Sequence, residues 1–224
     1  MLRLVSTLIL TGLFGCAQES ATESPATVPK DDKHILGVVP NYATVNDPSQ
    51  QFQAIPAGEK YKLAAQDAFD PFSWAITGIY AGVAQWGDNY AGYGQGAQGY
   101  AKRYGAAFAD GAIGSFMTEA VFPTLLHQDS RYFRMGEGRA WKRVGYAVTR
   151  VVVTHSDRGN WQFNTSEIAG NAAAAGIANL YYPRGSRGLD ETLEKFAVNV
   201  VSDAGFNVLK EFWPDMRRKI LHKE

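Results

Sequence analysis

Two His-x-Asp triplets carry the residue types best suited to chemistry in this chain. Each triplet is followed by an arginine, and the full set is His127, Asp129 and Arg131 with His155, Asp157 and Arg158. Imidazole and carboxylate groups bind divalent cations, and guanidinium groups match the geometry of phosphate. The pattern therefore predicts, as one alternative, a metal- or phosphate-dependent hydrolase built on the two His and Asp pairs.

Distance is the obstacle to this site. The segment 138–154 between the triplets is predicted to be helical, and about 17 residues at about 1.5 Å each would separate its ends by about 25 Å. The two triplets can share a site only if the connector folds back. Separate capping and turn roles for these residues are the competing interpretation.

A second candidate is a set of polar residues on otherwise apolar helices. Its members are Asp110, Glu119, Glu167, Asn171, Asn199 and Asp203. Glu167 and Asn171 are four residues apart, as are Asn199 and Asp203, so each pair shares a helix face. Buried carboxylates could form an acid/base or metal site, but the Glu-x-x-His motif of di-iron bundles is lacking. A buried hydrogen-bonded network is therefore the preferred interpretation, with plain exposure as the alternative.

Common catalytic and cofactor signatures are missing from the sequence. There is no Gly-x-Ser-x-Gly elbow, zincin motif or dinucleotide fingerprint. We therefore expect no resident metal or cofactor, and the balance leans away from an enzyme. Lys and Arg total 22, as do Asp and Glu, so the chain has no net field that would favour nucleic acid.

About five helices must position these side chains. Asp70-Pro71 is typical of a helix start, and no charged residue follows until Asp88. Further helices are predicted over 97–122, 139–154, 166–182 and 189–212. Pro123 and Trp213-Pro214 are expected to end two of them. We therefore expect an all-α fold in the form of a compact bundle.

The segment 164–183 is rich in alanine and glycine, and we expect it to be the central helix of the bundle. Asn164 and Glu167 resemble a capping box at its start. Small residues such as Ala173 and Gly176 would let another helix approach its backbone closely. The expected neighbour is an aromatic row on the helix at 97–122, formed by Tyr100, Tyr104, Phe108 and Phe116.

Two other helices have distinct faces. The helix at 139–154 carries a polar face, interpreted as exposed to solvent or, in a functional version, to anionic lipid headgroups. That face consists of Arg139, Arg143, Tyr146 and Arg150. The helix at 189–212 is amphipathic, and we expect its apolar residues, Leu193 and Val201 among them, to be buried.

The first sixteen residues indicate an export signal. Arg3 precedes the apolar run LVSTLILTGLF, which is too short to span a bilayer as a stable helix. Leu13-Phe14-Gly15-Cys16 resembles the lipobox of bacterial lipoproteins, in which the cysteine becomes the lipidated first residue. The resemblance implies a lipid anchor at Cys16, and Ala17 after it implies sorting to the outer membrane. Ordinary secretion with an incidental cysteine is the alternative.

These observations divide the chain into four parts. We expect a signal peptide over 1–15, a disordered tether over 16–33, an extended wrap over 34–64 with a short strand at 35–39, and a helical domain over 65–224. The leading hypothesis is a lipid-anchored cell-envelope protein, in the outer membrane and facing the periplasm, with a structural or binding role and an unidentified protein or small-molecule partner. A further alternative is a membrane-embedded helical bundle through residues 71–87, which are uncharged and carry Trp74 and Trp86 near their ends.

Overall fold

The computed structural model of the chain describes residues 33–221. The predicted signal peptide, Cys16 and the predicted tether up to residue 32 lie outside the described residues. The described part is mostly helical, as the sequence predicts, but it is not all-α, because short strands pair into small sheets.

Seven helices and seven short strands make up the described part. The helices are α1 (Ala57–Ala68), α2 (Pro71–Trp86), α3 (Gly96–Ser115), α4 (Phe122–Leu125), α5 (Ala140–Thr149), α6 (Thr165–Ala178) and α7 (Leu189–Leu221). The strands are β1 (His34–Ile35), β2 (Val39–Pro40), β3 (Thr44–Val45), β4 (Gln128–Asp129), β5 (Tyr132–Phe133), β6 (Val153–Ser156) and β7 (Trp161–Phe163). A π-helical segment, Phe116–Val121, joins α3 to α4.

Two predicted helix starts are confirmed by their capping hydrogen bonds. The side chain of Asp70 accepts from the Phe72 backbone N–H at 2.8 Å, ahead of a proline in the first turn of α2. The side chain of Asn164 accepts from the Glu167 N–H at 3.2 Å at the start of α6. Each bond satisfies a donor that the first helical turn leaves without a partner. The predicted boundary at residue 64 is crossed by α1.

Strand pairing folds the middle of the chain back on itself. β6 pairs antiparallel with both β4 and β7, and β3 pairs in parallel with β5. The prediction of a helix up to residue 154 is wrong in its last part, because α5 ends at Thr149 and β6 follows. The β-branched run Val151-Val152-Val153-Thr154 fits a strand better than a helix.

Two prolines lie inside helices rather than at their ends, so the predicted breaks at Pro123 and Pro214 are wrong. Pro123 cannot donate to the Glu119 carbonyl, and the Ser130 hydroxyl donates to that oxygen instead at 2.9 Å. In the turn before Pro214, the Glu211 carbonyl accepts from Arg134 Nε and Arg143 Nη2 at 2.9 and 2.7 Å. Side-chain donors thus satisfy carbonyls beside both prolines.

The start of the aromatic row on α3 packs on α2, whereas the expected contact with α6 is made further along the predicted helix. The hydroxyls of Tyr100 and Tyr104 donate to backbone carbonyls of α2. Helix α6 packs on α3 and on the π-helical segment, where Gly170 lies against the backbone of Met117. Gly176, expected to be a close-contact position, faces open space.

Glu211 is fully buried in α7 and fastens that helix to α5. Its Oε1 accepts from Arg143 Nε at 2.7 Å, and its Oε2 accepts from the Tyr132 hydroxyl at 2.7 Å. The prediction that Arg143 lies on a solvent-exposed stripe is wrong, because this residue is buried in the α5 and α7 contact. The apolar face of α7 is also less buried than expected, with Leu193 and Val201 exposed.

None of the helices within residues 33–221 has both the length and the apolar character needed to cross a membrane.

Candidate functional site

The two His-x-Asp triplets lie side by side because β4 pairs with β6. In this antiparallel ladder Asp129 is directly opposite His155, and Gln128 is opposite Ser156. Beyond the ladder, the Asp157 N–H donates to the His127 carbonyl at 2.8 Å. The 25 Å separation expected for a straight connecting helix does not apply, since the connector folds back.

Most polar groups of the triplets already have protein partners. Asp129 is fully buried and accepts from Arg131 Nε and Nη2, the latter at 2.6 Å. Asp157 accepts from the buried ammonium of Lys60 at 2.7 Å. The His127 ring is exposed, with Nδ1 3.8 Å from Asp157 Oδ2, and Arg158 is exposed as well. The triplets are therefore tied into the fold rather than converging on one open point.

Within residues 33–221 no group of three or more His, Cys, Asp or Glu side chains is placed to hold a metal ion.

A polar cavity of about 80 Å³ lies beside this ladder. Its walls are formed by the π-helical segment, β5, β6, β7, the start of α6 and the middle of α7. The residues that line it include Glu119, Ser130, Arg131, Phe133, Arg150, Thr154, His155, Trp161, Glu167, Asp203, Asn207 and Lys210. It thus brings Arg131 and His155 of the first predicted set together with Glu119, Glu167 and Asp203 of the second.

Carboxyl groups form one wall of the polar cavity. Burial raises the pKa of Glu119 and Glu167 well above the ordinary range for glutamate, and nearby acids raise it further while Lys210 opposes them. Glu167 is hydrogen-bonded to Asp203, and Asn171 Nδ2 donates to both, at 2.9 and 3.1 Å. Because their pKa values are raised, Glu119 and Glu167 hold less negative charge at neutral pH than two free glutamates would.

Arg150 forms the opposite wall. Its guanidinium carbon lies 4.3 Å from the ring centroids of both Tyr146 and Trp161. Nη2 donates to Thr149 Oγ1 at 3.1 Å, whereas Nε and Nη1 are buried and have no hydrogen-bond partner. Burial lowers the pKa of Arg150, yet a guanidinium remains charged at neutral pH. No carboxylate of residues 33–221 forms an ion pair with it.

His155 lies between the two walls in an aromatic setting. Its ring centroid is 3.6 Å from that of Trp161 and 4.7 Å from that of Phe133. Burial lowers the pKa of His155 below its ordinary value of 6.5, against the opposing influence of Asp129. The imidazole is consequently neutral at pH 7 and can both donate and accept a hydrogen bond.

The second predicted set of polar residues divides between two places. Glu119, Glu167, Asn171 and Asp203 lie together at the polar cavity. Asp110 and Asn199 instead line a smaller cavity of about 30 Å³ with Lys195. There the hydroxyls of Tyr181 and Tyr182 both donate to Asp110.

The sequence analysis did not place Arg150, Trp161 and Lys210 at this site, although all three line the polar cavity. Arg150 belongs to the stripe interpreted as exposed, although the valine run after it indicates that the helix ends there. Lys210 extends a line on α7 that passes through Asn199, Asp203 and Asn207, so the spacing of four, four and three residues was a usable signal. No sequence pattern points to Trp161, whose place depends on the pairing of β6 with β7.

Comparison with protein-family models, with curated proteins and with solved structures gave no significant match.

Proposed function

We propose that this chain is a binding protein of the bacterial cell envelope, anchored by lipid at Cys16 in the outer membrane and facing the periplasm. Its site is the polar cavity, and its ligand is a small anion or the anionic end of a larger molecule. The lipobox resemblance supports the address. The buried guanidinium of Arg150, which lines the cavity without a carboxylate partner among the described residues, supports the ligand class.

The buried charge of Arg150 is the main argument. Arg150 lines the cavity, and its guanidinium contacts the rings of Tyr146 and Trp161 but no carboxylate of the described residues, so an incoming anion would supply the missing opposite charge. The carboxyls across the cavity do not neutralise this charge, because burial keeps Glu119 and Glu167 at least partly protonated at neutral pH. A negatively charged oxygen of the ligand would therefore balance the positive charge of Arg150 in the cavity.

The size of the cavity and its other polar groups restrict the class of possible ligands further. A cavity of about 80 Å³ has room for a phosphate- or carboxylate-sized group, since one water molecule needs only about 10–15 Å³ of cavity volume measured in the same way. Glu119 also lines the cavity, and its carboxyl group suits a hydroxyl or amine on the ligand. The best-supported ligand thus carries one anionic group and one hydrogen-bond donor.

The test measures ligand-induced stabilisation. Inorganic phosphate, sulfate and acetate, each compared with chloride at equal ionic strength, are added to wild-type protein, Arg150→Gln and Arg158→Gln while thermal unfolding is recorded. Arg158→Gln removes the same charge at an exposed position. We expect at least one anion to raise the melting temperature of wild type and Arg158→Gln but not of Arg150→Gln. An equal rise in all three proteins would refute the site.

Hydrolysis at the same cavity is the second candidate. The observation that favours it is the strand register, which sets a neutral His155 opposite Asp129 beside Arg131 and Arg150. A phosphomonoester bound at the guanidinium groups would lie against this imidazole, the usual protein acid or base near neutral pH. Turnover of a chromogenic phosphomonoester that disappears in His155→Gln and persists in His127→Gln, where the ring is exposed, would favour this function over binding alone.

A further inference from the structure

One face of α2 is apolar, uncharged and exposed. Ile79, Tyr80 and Val83 are between 45% and 59% exposed, and Trp74 is 51% exposed. Trp86, the last residue of the helix, is 90% exposed. No charged residue occurs anywhere in this helix. Ile79, Val83 and Trp86 follow the spacing i, i+4 and i+7, so they lie along one side.

The other side of α2 is already occupied. The hydroxyls of Tyr100 and Tyr104 in α3 donate to the carbonyls of Gly78 and Trp74, at 3.1 and 3.3 Å. Thr77 and Ala81 are the buried residues of α2. Helix α2 is therefore packed against α3, and its other face is exposed even though the helix is held in the fold.

The chain enters the described part of the fold next to this helix. His34 Nε2 lies 2.8 Å from Asp70 Oδ2, and Asp70 caps the start of α2. The β1–β2 hairpin at this point exposes two more apolar side chains, those of Leu36 and Val38. Between Cys16 and His34 the chain can reach at most roughly 60 Å, even when fully extended. The chain that leads to Cys16 thus leaves the domain beside the start of α2.

We propose that the exposed face of α2, formed by Ile79, Tyr80, Val83 and Trp86, lies on the lipid surface as an interfacial helix. Here the helix lies parallel to the bilayer plane, with its exposed aliphatic side chains among the upper acyl chains and its aromatic rings at headgroup level. This contact adds to the lipid anchor and sets the orientation of the domain on the membrane. It rests on the lipid anchor of the proposed function but does not depend on the polar cavity.

Lipid fits this face better than a protein partner does. The exposed face of α2 offers the rings of Tyr80 and Trp86 but no charged group that could select one protein surface. Tryptophan and tyrosine have the amphipathic rings that favour the boundary between headgroups and hydrocarbon. The chain that leads to Cys16 leaves the domain beside the start of this helix, where Leu36 and Val38 are exposed as well.

The experiment uses the full chain with its own lipid, reconstituted in phosphatidylethanolamine and phosphatidylglycerol vesicles. A portion of the lipid is brominated either near the headgroup end or near the methyl end of the acyl chains, and tryptophan fluorescence is measured. We expect quenching in wild type, strongest with bromine near the headgroups. Trp86→Phe should lose most of this quenching, whereas Trp141→Phe, which removes another exposed tryptophan on α5, should retain it.

A second pair of variants tests the face itself. Ile79→Glu with Val83→Glu places charge on exposed positions of α2, and Leu193→Glu with Val201→Glu does the same on α7. Only the α2 variant should lose the quenching. The proposal is overturned if wild-type fluorescence is unaffected by brominated lipid, or if both double variants lose quenching equally. It is also overturned if wild type is an unquenched dimer that the α2 variant converts to a monomer.

Discussion

The ammonium of Lys60 lies 2.7 Å from Asp157 Oδ1, although the two residues are 97 positions apart. Lys60 is almost fully buried, and it also donates to the carbonyls of Gln128 and Pro123 at 2.7 and 3.3 Å. One side chain of α1 therefore holds the start of β4, the end of β6 and helix α4 together. This contact is what gives Asp157 a structural partner in place of a ligand.

Replacing Lys60 with methionine should destabilise the protein by about 2 to 3 kcal/mol, because one carboxylate and two carbonyls lose a charged donor. Lys62→Met is the matched control, since Lys62 is 59% exposed and pairs with Glu59 three residues away. Its effect should stay within about 0.5 kcal/mol. Urea unfolding monitored by circular dichroism measures both, and similar losses in the two variants would contradict a structural role for the buried ammonium.

The cavity carboxyls should make stability depend on pH. Burial, followed by the charge of Asp203, raises the pKa of Glu167 above its ordinary value of 4.5. The folded state therefore keeps a proton that the unfolded state releases above that pH, and stability falls as the pH rises from there towards the folded-state pKa. Glutamine resembles the protonated form and can still donate to Asp203, so Glu167→Gln should not lose stability in this range.

The measurement compares free energies of unfolding at pH 5 and pH 8. Relative to wild type, the free energy of unfolding of Glu167→Gln should be higher at pH 8 than at pH 5 by about 1 kcal/mol or more. Glu194→Gln, at an exposed position of α7, should shift the free energy equally at both pH values. Because each variant is compared with wild type at the same pH, the pH-dependent contributions of other groups to stability, such as that of His155, cancel. If the difference in free energy of unfolding between Glu167→Gln and wild type were the same at both pH values, the raised pKa of Glu167 would be refuted.

Two glycines of α6 should respond in opposite ways to alanine. A Cβ at Gly170 would lie 2.9 Å from Thr118 Cγ2 and 3.0 Å from the carbonyl carbon and oxygen of Met117. The backbone must move to admit it, so Gly170→Ala should cost about 1 to 3 kcal/mol. A Cβ at Gly176 meets nothing within 4 Å, and Gly176→Ala should gain up to about 1 kcal/mol through helix propensity. Thermal unfolding of the two variants checks both signs.

Local signals in the sequence were enough to place most helices. Asp70 before Pro71 and Asn164 before Glu167 mark helix starts through bonds made within a few residues, and both starts are found as expected. Part of the polar cavity was predictable for the same reason, because Glu167 and Asn171 are one helical turn apart. These features depend on neighbours in the sequence, not on the fold.

The other features of the fold and of the cavity depend on contacts between segments that are far apart in the sequence. Strands of two to four residues, such as β4 and β6, are too short to show a pattern, and only their pairing makes them strands. Pro123 stays within a helix because Ser130 supplies the donor that the proline lacks. Arg143 is buried because Glu211, from the far end of the chain, neutralises it. Sequence periodicity contains none of this information.

The π-helical turn at Phe116–Val121 has a consequence for how this cavity could vary among related chains. A π-turn holds about one residue more than an α-turn, so it has the form of a single-residue insertion retained within a helix. Side chains after it are rotated by about 100° relative to those before it. A related chain without the extra residue would present a different side chain where Glu119 now faces the cavity, and so would bind a different ligand on the same scaffold.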